Sequence, residues 1–151
     1  MAVFRETPYS AFNYVVELEP GQGDQVDAGF SDVSGLNAEV TIAEYRNGNS
    51  KVNHVTKIPG IHKAGDVTLK RGIIGAQNLW DWLDEVRQGK LSGKRNVSIK
   101  LLNEDRSDTV VTWRLKNAMP IKWTGPTLTG KGGGDVAIEE LVLSVETVDQ
   151  E

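Results

Sequence analysis

The chain contains no cysteine, which removes disulfides, thiolate metal sites and thiol nucleophiles from consideration. That absence also fits synthesis in a reducing cytosol. Only two histidines are present, His54 and His62. They lie in a loop-like stretch without a carboxylate cluster and read as surface residues, not a metal pair. No apolar run approaches the roughly 20 residues that a spanning helix needs, and Met1 to Pro8 lacks the apolar run of a secretory signal. No stable membrane insertion by the monomer is expected. A basic field for nucleic acid is missing too, since 17 Lys and Arg against 21 Asp and Glu give −4.

What remains is a 151-residue chain, read as one domain spanning 1–151. Its charge is unevenly placed. Residues 1–43 sum to −6, 44–71 to +4, 72–131 to +4 and 132–151 to −6. The ends are acidic and the middle basic, so copies of this chain can attract one another.

Alternation with a period of two dominates the pattern. Phe12, Tyr14, Val16 and Leu18 share one strand face, and Leu36, Ala38, Val40 and Ile42 share another. Shorter alternations follow at Val67/Leu69, Val97/Ile99/Leu101, Val111/Trp113/Leu115 and Ile121/Trp123. Each predicts a strand buried on one side, the mark of antiparallel sheet. One helix is predicted over 76–88, where Leu79, Trp82, Leu83 and Val86 form a stripe and Gly89 supplies a stop. Asn78, Asp81 and Glu85 fall on its wet face, and Trp80 at the stripe's edge. In the last strand, predicted from Asp135 to Val148, Val136 and Ile138 have the opposite parity to Leu141, Leu143 and Val145. A bulge near Glu139–Glu140 reconciles them. The fold class is therefore mainly β: an antiparallel barrel or sandwich of two packed sheets, one flanking helix and a long projecting hairpin or loop.

That projection is the segment 45–66. Structureless loops beyond about 12–15 residues are uncommon in compact domains, and Val52, Val55, Ile58 and Ile61 are too few to offset the ordering entropy within one small domain. Its turn signals, Asn47-Gly48 and Pro59-Gly60, suit a hairpin. The segment is thus mobile alone or ordered against another molecule.

No catalytic constellation emerges. Gly125 to Gly132 approaches the phosphate-loop pattern, but Gly132 replaces the metal-binding hydroxyl, Pro126 removes an amide donor and no helix follows. Asp81, Asp84 and Glu85 spread around a solvated helix face. Asn96-Val97-Ser98 matches a glycosylation sequon but sits in a predicted strand. The chain is expected to be no enzyme and to carry no cofactor and no metal.

A set of motifs in order resembles the tail tube proteins of contractile phages and the inner tube proteins of phage-tail-like contractile injection systems. It comprises Tyr45-Arg46-x-Gly48, Lys57-Ile58-Pro59-Gly60, Lys63 through Gly72, Leu79 through Trp82, Trp113 through Pro126, and Val136 through Leu141. The resemblance runs from Phe4 to Val148. It implies hexameric rings stacked into a hollow tube within a contractile sheath, bounded by baseplate and tube-terminator proteins, with payload protein or DNA in the lumen. It implies assembly in a phage tail or tail-like particle, with release from the cell a further expectation.

By match to the family motif, Tyr45, Arg46, Gly48, Lys57, Pro59 and Gly60 are inter-subunit and inter-ring contact candidates. Asn78, Asp81 and Glu85 are sheath-facing candidates, and Glu39, Thr41, Lys70, Thr112, Arg114, Lys122 and Thr124 are lumen candidates. Phage tail, toxin-delivering system and bacteriocin all stay open at this point. The alternative from another class is a monomeric β-sandwich module for a ligand such as carbohydrate. It requires an exposed aromatic platform, whereas Trp82, Trp113 and Trp123 fall in apolar registers.

Overall fold

The computed structural model describes residues 4–18, 29–75 and 77–151. The predicted helix start at Ala76 lies outside them. Among the described residues, nine strands and one α-helix follow in the order β1 (Tyr14–Leu18), β2 (Asp32–Ser34), β3 (Glu39–Tyr45), β4 (Thr56–Lys63), β5 (Val67–Gly72), α1 (Asn78–Arg87), β6 (Arg95–Leu102), β7 (Thr109–Thr124), β8 (Ile138–Ser144) and β9 (Thr147–Gln150). A 3₁₀ turn at Leu91–Gly93 precedes β6.

Seven strands form one antiparallel sheet in the order β1-β6-β7-β8-β5-β2, with β9 added to β7. Strand β7 is what folds that sheet into two layers. Its first half pairs with β6 and β9, and its second half with β8. Two register breaks flank the junction of the halves, one opposite Arg95/Val97 and one at Pro120/Lys122. Asn117, at φ 52, occupies the corner. Bulges of this kind bend a strand and increase its twist. The sequence Lys116 to Pro120, which reads as punctuation between two strands, is therefore the bent middle of a single one.

The inward residues of both layers meet in one core. Val16, Val97, Ile99 and Leu115 face Val67, Leu69, Leu141 and Leu143, and Leu79 and Trp82 of α1 pack against the same cluster. The helix stripe is thus buried as the 3.6-residue period dictates. Trp82 donates from Nε1 to the Gly93 carbonyl at 2.5 Å. Asp81 in the first turn and Arg87 in the last suit the helix dipole. Gly89, at φ 79, follows the helix as a stop.

Three readings of the strands change. Phe12 is 73% exposed and lies before β1. The final strand has no bulge at Glu139–Glu140: β5 pairs with β8 in unbroken register from Val67↔Leu143 to Gly72↔Ile138. It divides instead into β8 and β9 around Val145–Glu146. The parity conflict resolves electrostatically. Glu139 occupies the inward register as a buried ion pair with Arg71 at 2.5 Å, while Val136 and Ile138 face out.

Third, Val40 and Ile42 do not face the core. Strands β3 and β4 form a separate two-stranded sheet whose residues are all exposed. Among the described residues, no helix is long and apolar enough to cross a membrane.

The N-terminal segment is held by one side chain. Arg5 donates to both Glu104 carboxylate oxygens, at 2.8 and 2.5 Å, and to the carbonyls of Thr7 and Pro8. Its guanidinium lies over the Tyr9 ring at 3.9 Å. The Arg5 hydrogen bond, aided by backbone amides, pulls the Glu104 carboxyl from 4.5 down to about 2. A depressed acid contributes stability above its unfolded pKa and loses it as pH falls through the folded value. The Arg5–Glu104 contact should therefore persist to near pH 2. Glu104→Gln should release residues 4–9 at neutral pH. Side-chain NMR titration tests this, and a Glu104 midpoint at the ordinary 4.5 would show that the pair does not hold in solution.

Candidate functional site: an exposed β-arm

Strands β3 and β4 pair as Glu39↔Lys63, Val40↔His62, Ile42↔Pro59, Ala43↔Ile58, Glu44↔Lys57 and Tyr45↔Thr56. The register shift between Val40 and Ile42 places an extra β4 residue at Gly60–Ile61, opposite Thr41. Gly60 is needed there because a Cβ would stand 2.8 Å from the Thr41 carbonyl oxygen. The arm's root is fastened on both sides. The Gly65 amide donates to Asn37 Oδ1 at 2.6 Å. Gly35, at φ 87, brings its backbone so close to the Asp66 carbonyl that no side chain fits.

The arm itself has no core. Val40, Ile42, Tyr45, Ile58 and Ile61 are 42–74% exposed, and among the described residues both outer edges of the two-stranded sheet are unpaired. A lone hairpin is marginally stable in water, and exposed apolar surface next to open strand edges marks a surface for association. A groove of about 340 Å³ separates the arm's root (Glu39, Val40, His62, Lys63) from Glu146 and Asp149 near the C-terminal end.

The six contact candidates all lie on this arm. Two of them also build its tip. The Tyr45 hydroxyl donates to Asn47 Oδ1 at 2.6 Å, and Arg46 donates to the carbonyls of Ser50 and Val52, both at 3.2 Å. Lys57 stands across from Glu44 and Pro59 across from Ile42. The connection is longer than a two-residue turn. It covers 46–55, and Asn47 opens a turn in which the Ser50 amide donates to the Asn47 carbonyl at 3.1 Å.

The helix candidates separate. Asp81 is exposed. Asn78 accepts from Arg71 at 2.7 Å and is half-buried, so it leaves the wet face assigned to it by helical spacing. Glu85 accepts from Ser92 at 2.8 Å and from Arg95 at 3.1 Å. The Ser92 bond first, then Arg95, holds its carboxyl below the ordinary value.

The seven lumen candidates fall into three groups. Glu39 and Thr41 belong to the arm. Thr112 and Arg114 lie on the outer face of one layer, opposite Lys100 and Ser98. Lys70, Lys122 and Thr124 lie on the outer face of the other, where Lys70 and Thr124 both stand across from Glu140. Because the core separates the layers, these two faces look away from each other.

Sequence reasoning missed Arg71 and Glu139 as a pair, since no short-range pattern links residues so far apart. No group of three or more His, Asp or Glu side chains that could hold a metal is present among the described residues. An aromatic platform for sugar does not form from the tryptophans at apolar registers: Trp82 is buried, and Trp113 and Trp123 are half-buried. Trp80 stands edge-on to Trp123, with centroids 5.1 Å apart.

Comparison with known proteins places this architecture. No curated protein matches the chain significantly. A chain of the PVC sheath-tube complex, an extracellular contractile injection system in its extended state, is 26% identical with a TM-score of 0.79, covering 97% of this chain and 93% of that one. A chain of the PVC sheath/tube terminator is 26% identical with a TM-score of 0.82, covering 97% and 98%. A chain of the anti-feeding prophage baseplate is 27% identical with a TM-score of 0.78, covering 97% of each. The chain is a structural subunit and not an enzyme. The family model described as the T4-like virus tail tube protein gp19 aligns with residues 10–149, from before β1 into β9, and the chain belongs to that family.

Proposed function

We propose that this tube subunit closes into hexameric rings and that the rings stack into the rigid, hollow inner tube of a contractile injection particle. The observation that carries the reading is the arm: a strand pair exposed on every residue, apolar on both faces and, among the described residues, open at both edges. Burial against neighbouring copies stabilises such an element, because anything that binds the ordered form favours it. Stacking is a heterologous contact that does not close, and contacts of that type generate filaments. Tyr45, Arg46, Gly48, Lys57, Pro59 and Gly60 lie at this contact.

The basic arm suits the acidic ends of other copies, with charge setting register over roughly 8 Å at physiological salt. Apolar contact carries the affinity. One outer face of the sandwich lines the channel, so Thr112 and Arg114, or else Lys70, Lys122 and Thr124, meet the payload, protein or DNA. Asp81 is the helix residue best placed to meet a sheath. Relatives occur in complexes described as sheath-tube, tube terminator and baseplate, which supports the same neighbours here in a phage tail or extracellular injection particle.

Electron microscopy and sedimentation of the purified chain test the reading. Rings or hollow filaments are expected, weakened but not abolished by high salt. A strict monomer at high concentration would overturn it.

A further inference from the structure

The arm's tip carries chemistry that tube assembly does not use. Asn47 is followed by Gly48, and no other asparagine in the chain precedes a glycine. An asparagine side chain can be attacked at Cγ by the backbone nitrogen of the next residue, and a following glycine leaves that approach free of side-chain obstruction. Three further features sit at this one turn. A Cβ built on Gly48 meets nothing within 4 Å, so the space around the attacking nitrogen is open. The Gly48 amide donates to nothing among the described residues. The Tyr45 hydroxyl donates to Asn47 Oδ1 at 2.6 Å, which polarises the carbonyl under attack. A donor aimed at an oxygen that gains negative charge lowers the barrier.

We infer that Asn47 is a site of self-deamidation in the unassembled subunit, assisted by Tyr45. Solvent base removes the Gly48 amide proton, and the nitrogen bonds to Asn47 Cγ. The Cγ–Nδ2 bond then breaks, and the amide leaves as ammonia after taking a proton from water. One water molecule opens the resulting five-membered imide at either carbonyl. The product is aspartate when the ring opens at the backbone-nitrogen side of Cγ, and isoaspartate when it opens at the original backbone carbonyl.

The other asparagines of this tip, Asn49 and Asn53, precede Ser50 and His54, whose side chains crowd the same attack. Elsewhere, Asn37 is tied to Gly65, Asn78 to Arg71, Asn96 to Asn117 and Asn103 to Ser107. Either product adds one negative charge to the segment 44–71, taking it from +4 to +3. Isoaspartate also inserts an extra backbone carbon into the turn closed by the Ser50 amide. An aged subunit therefore joins tubes less readily than a fresh one. That consequence rests on the tube reading, whereas the reaction at Asn47 does not.

The soluble full chain, incubated in mildly alkaline buffer and followed by peptide mass spectrometry with an isoaspartate assay, tests the chemistry. Conversion at Asn47 is expected ahead of Asn49 and Asn53, accelerating with hydroxide. Gly48→Ala, which the open space around Gly48 accommodates, should slow it by about tenfold or more through crowding at the attacking nitrogen. Tyr45→Phe should slow it several-fold. Equal rates at the three asparagines, or no effect of Gly48→Ala, would overturn the site, and a wild-type rate in Tyr45→Phe would overturn the part given to the hydroxyl. Assembly is read separately by mixing aged and fresh subunits: depletion of the aged form from pelleted tubes supports the consequence, and equal incorporation refutes that consequence alone.

Discussion

Replacing Thr41–Ile61 by an Asn-Gly turn should give a chain that unfolds like the intact one and forms no tubes. Val40 and His62 face each other across the arm, so a two-residue turn can join their strands without shifting either. The sequence alone suggests removing Asn47–Ile61, but the register shows that such a cut would leave β3 without its partner. No residue of β3 or β4 contributes to the core cluster. Substitutions away from the core, from caps and from strained backbone usually change stability by less than about 0.5 kcal/mol. The urea midpoint should therefore move little, while particles that sediment as tubes should vanish. Tubes formed by the shortened chain would show that stacking runs through some other surface. A collapsed unfolding transition would show that the arm supports the sandwich.

Glu139→Ala should cost about 3–5 kcal/mol of stability, the range for breaking a buried ion pair by removing one partner. In a chain of this size that corresponds to a Tm lower by roughly 10 °C. Arg71 is 1% exposed and the Glu139 side chain 9%, so water screens neither charge well. The carboxylate also accepts from Trp123 Nε1 at 3.2 Å, and the guanidinium donates to Asn78 at 2.7 Å and lies 5.9 Å from the Phe30 ring centroid. Four elements thus meet at one pair: β5, β7, β8 and the start of α1. Without Glu139, the Arg71 charge stays inside the fold after losing the carboxylate it pairs with across the sheet. The double replacement Arg71→Met with Glu139→Leu should recover most of the loss, because a well-packed apolar pair can match a buried ionic one. Thermal unfolding of the three variants checks this. A single-variant loss below about 1 kcal/mol would mean that solvent reaches the pair.

The strands that build the sandwich were legible because their alternation reports directly on burial. Val67/Leu69 and Val97/Ile99 turn inward as read. Val40 and Ile42 show the same period and turn to solvent. Periodicity says that one face is apolar, and it does not say which molecule covers that face. Val136 and Ile138 misled for a different reason. Hydropathy assigns the interior to apolar residues, whereas Glu139 holds an inward position because Arg71 neutralises it across the sheet. Pro120 looked like a break in a strand, yet a bulge next to it lets β7 continue.

The arm was legible in outline, from its length and its turn residues, and its six candidate positions came from family motifs. Their local duties were not legible. That Tyr45 and Arg46 shape the tip depends on bonds to Asn47, Ser50 and Val52 that only the folded loop creates. Asn78 left its expected face because helical geometry cannot register a guanidinium arriving from β5.

Strand β7 carries a mechanical consequence. In an ordinary sandwich two layers meet only through side chains, and a sideways push can slide one over the other. Here a single covalent backbone is a member of both layers and is hydrogen-bonded to β6, β8 and β9. Slip between the layers would have to tear those ladders together. A push on one outer face therefore passes to the other through bonds in tension, and each subunit resists shear as one piece.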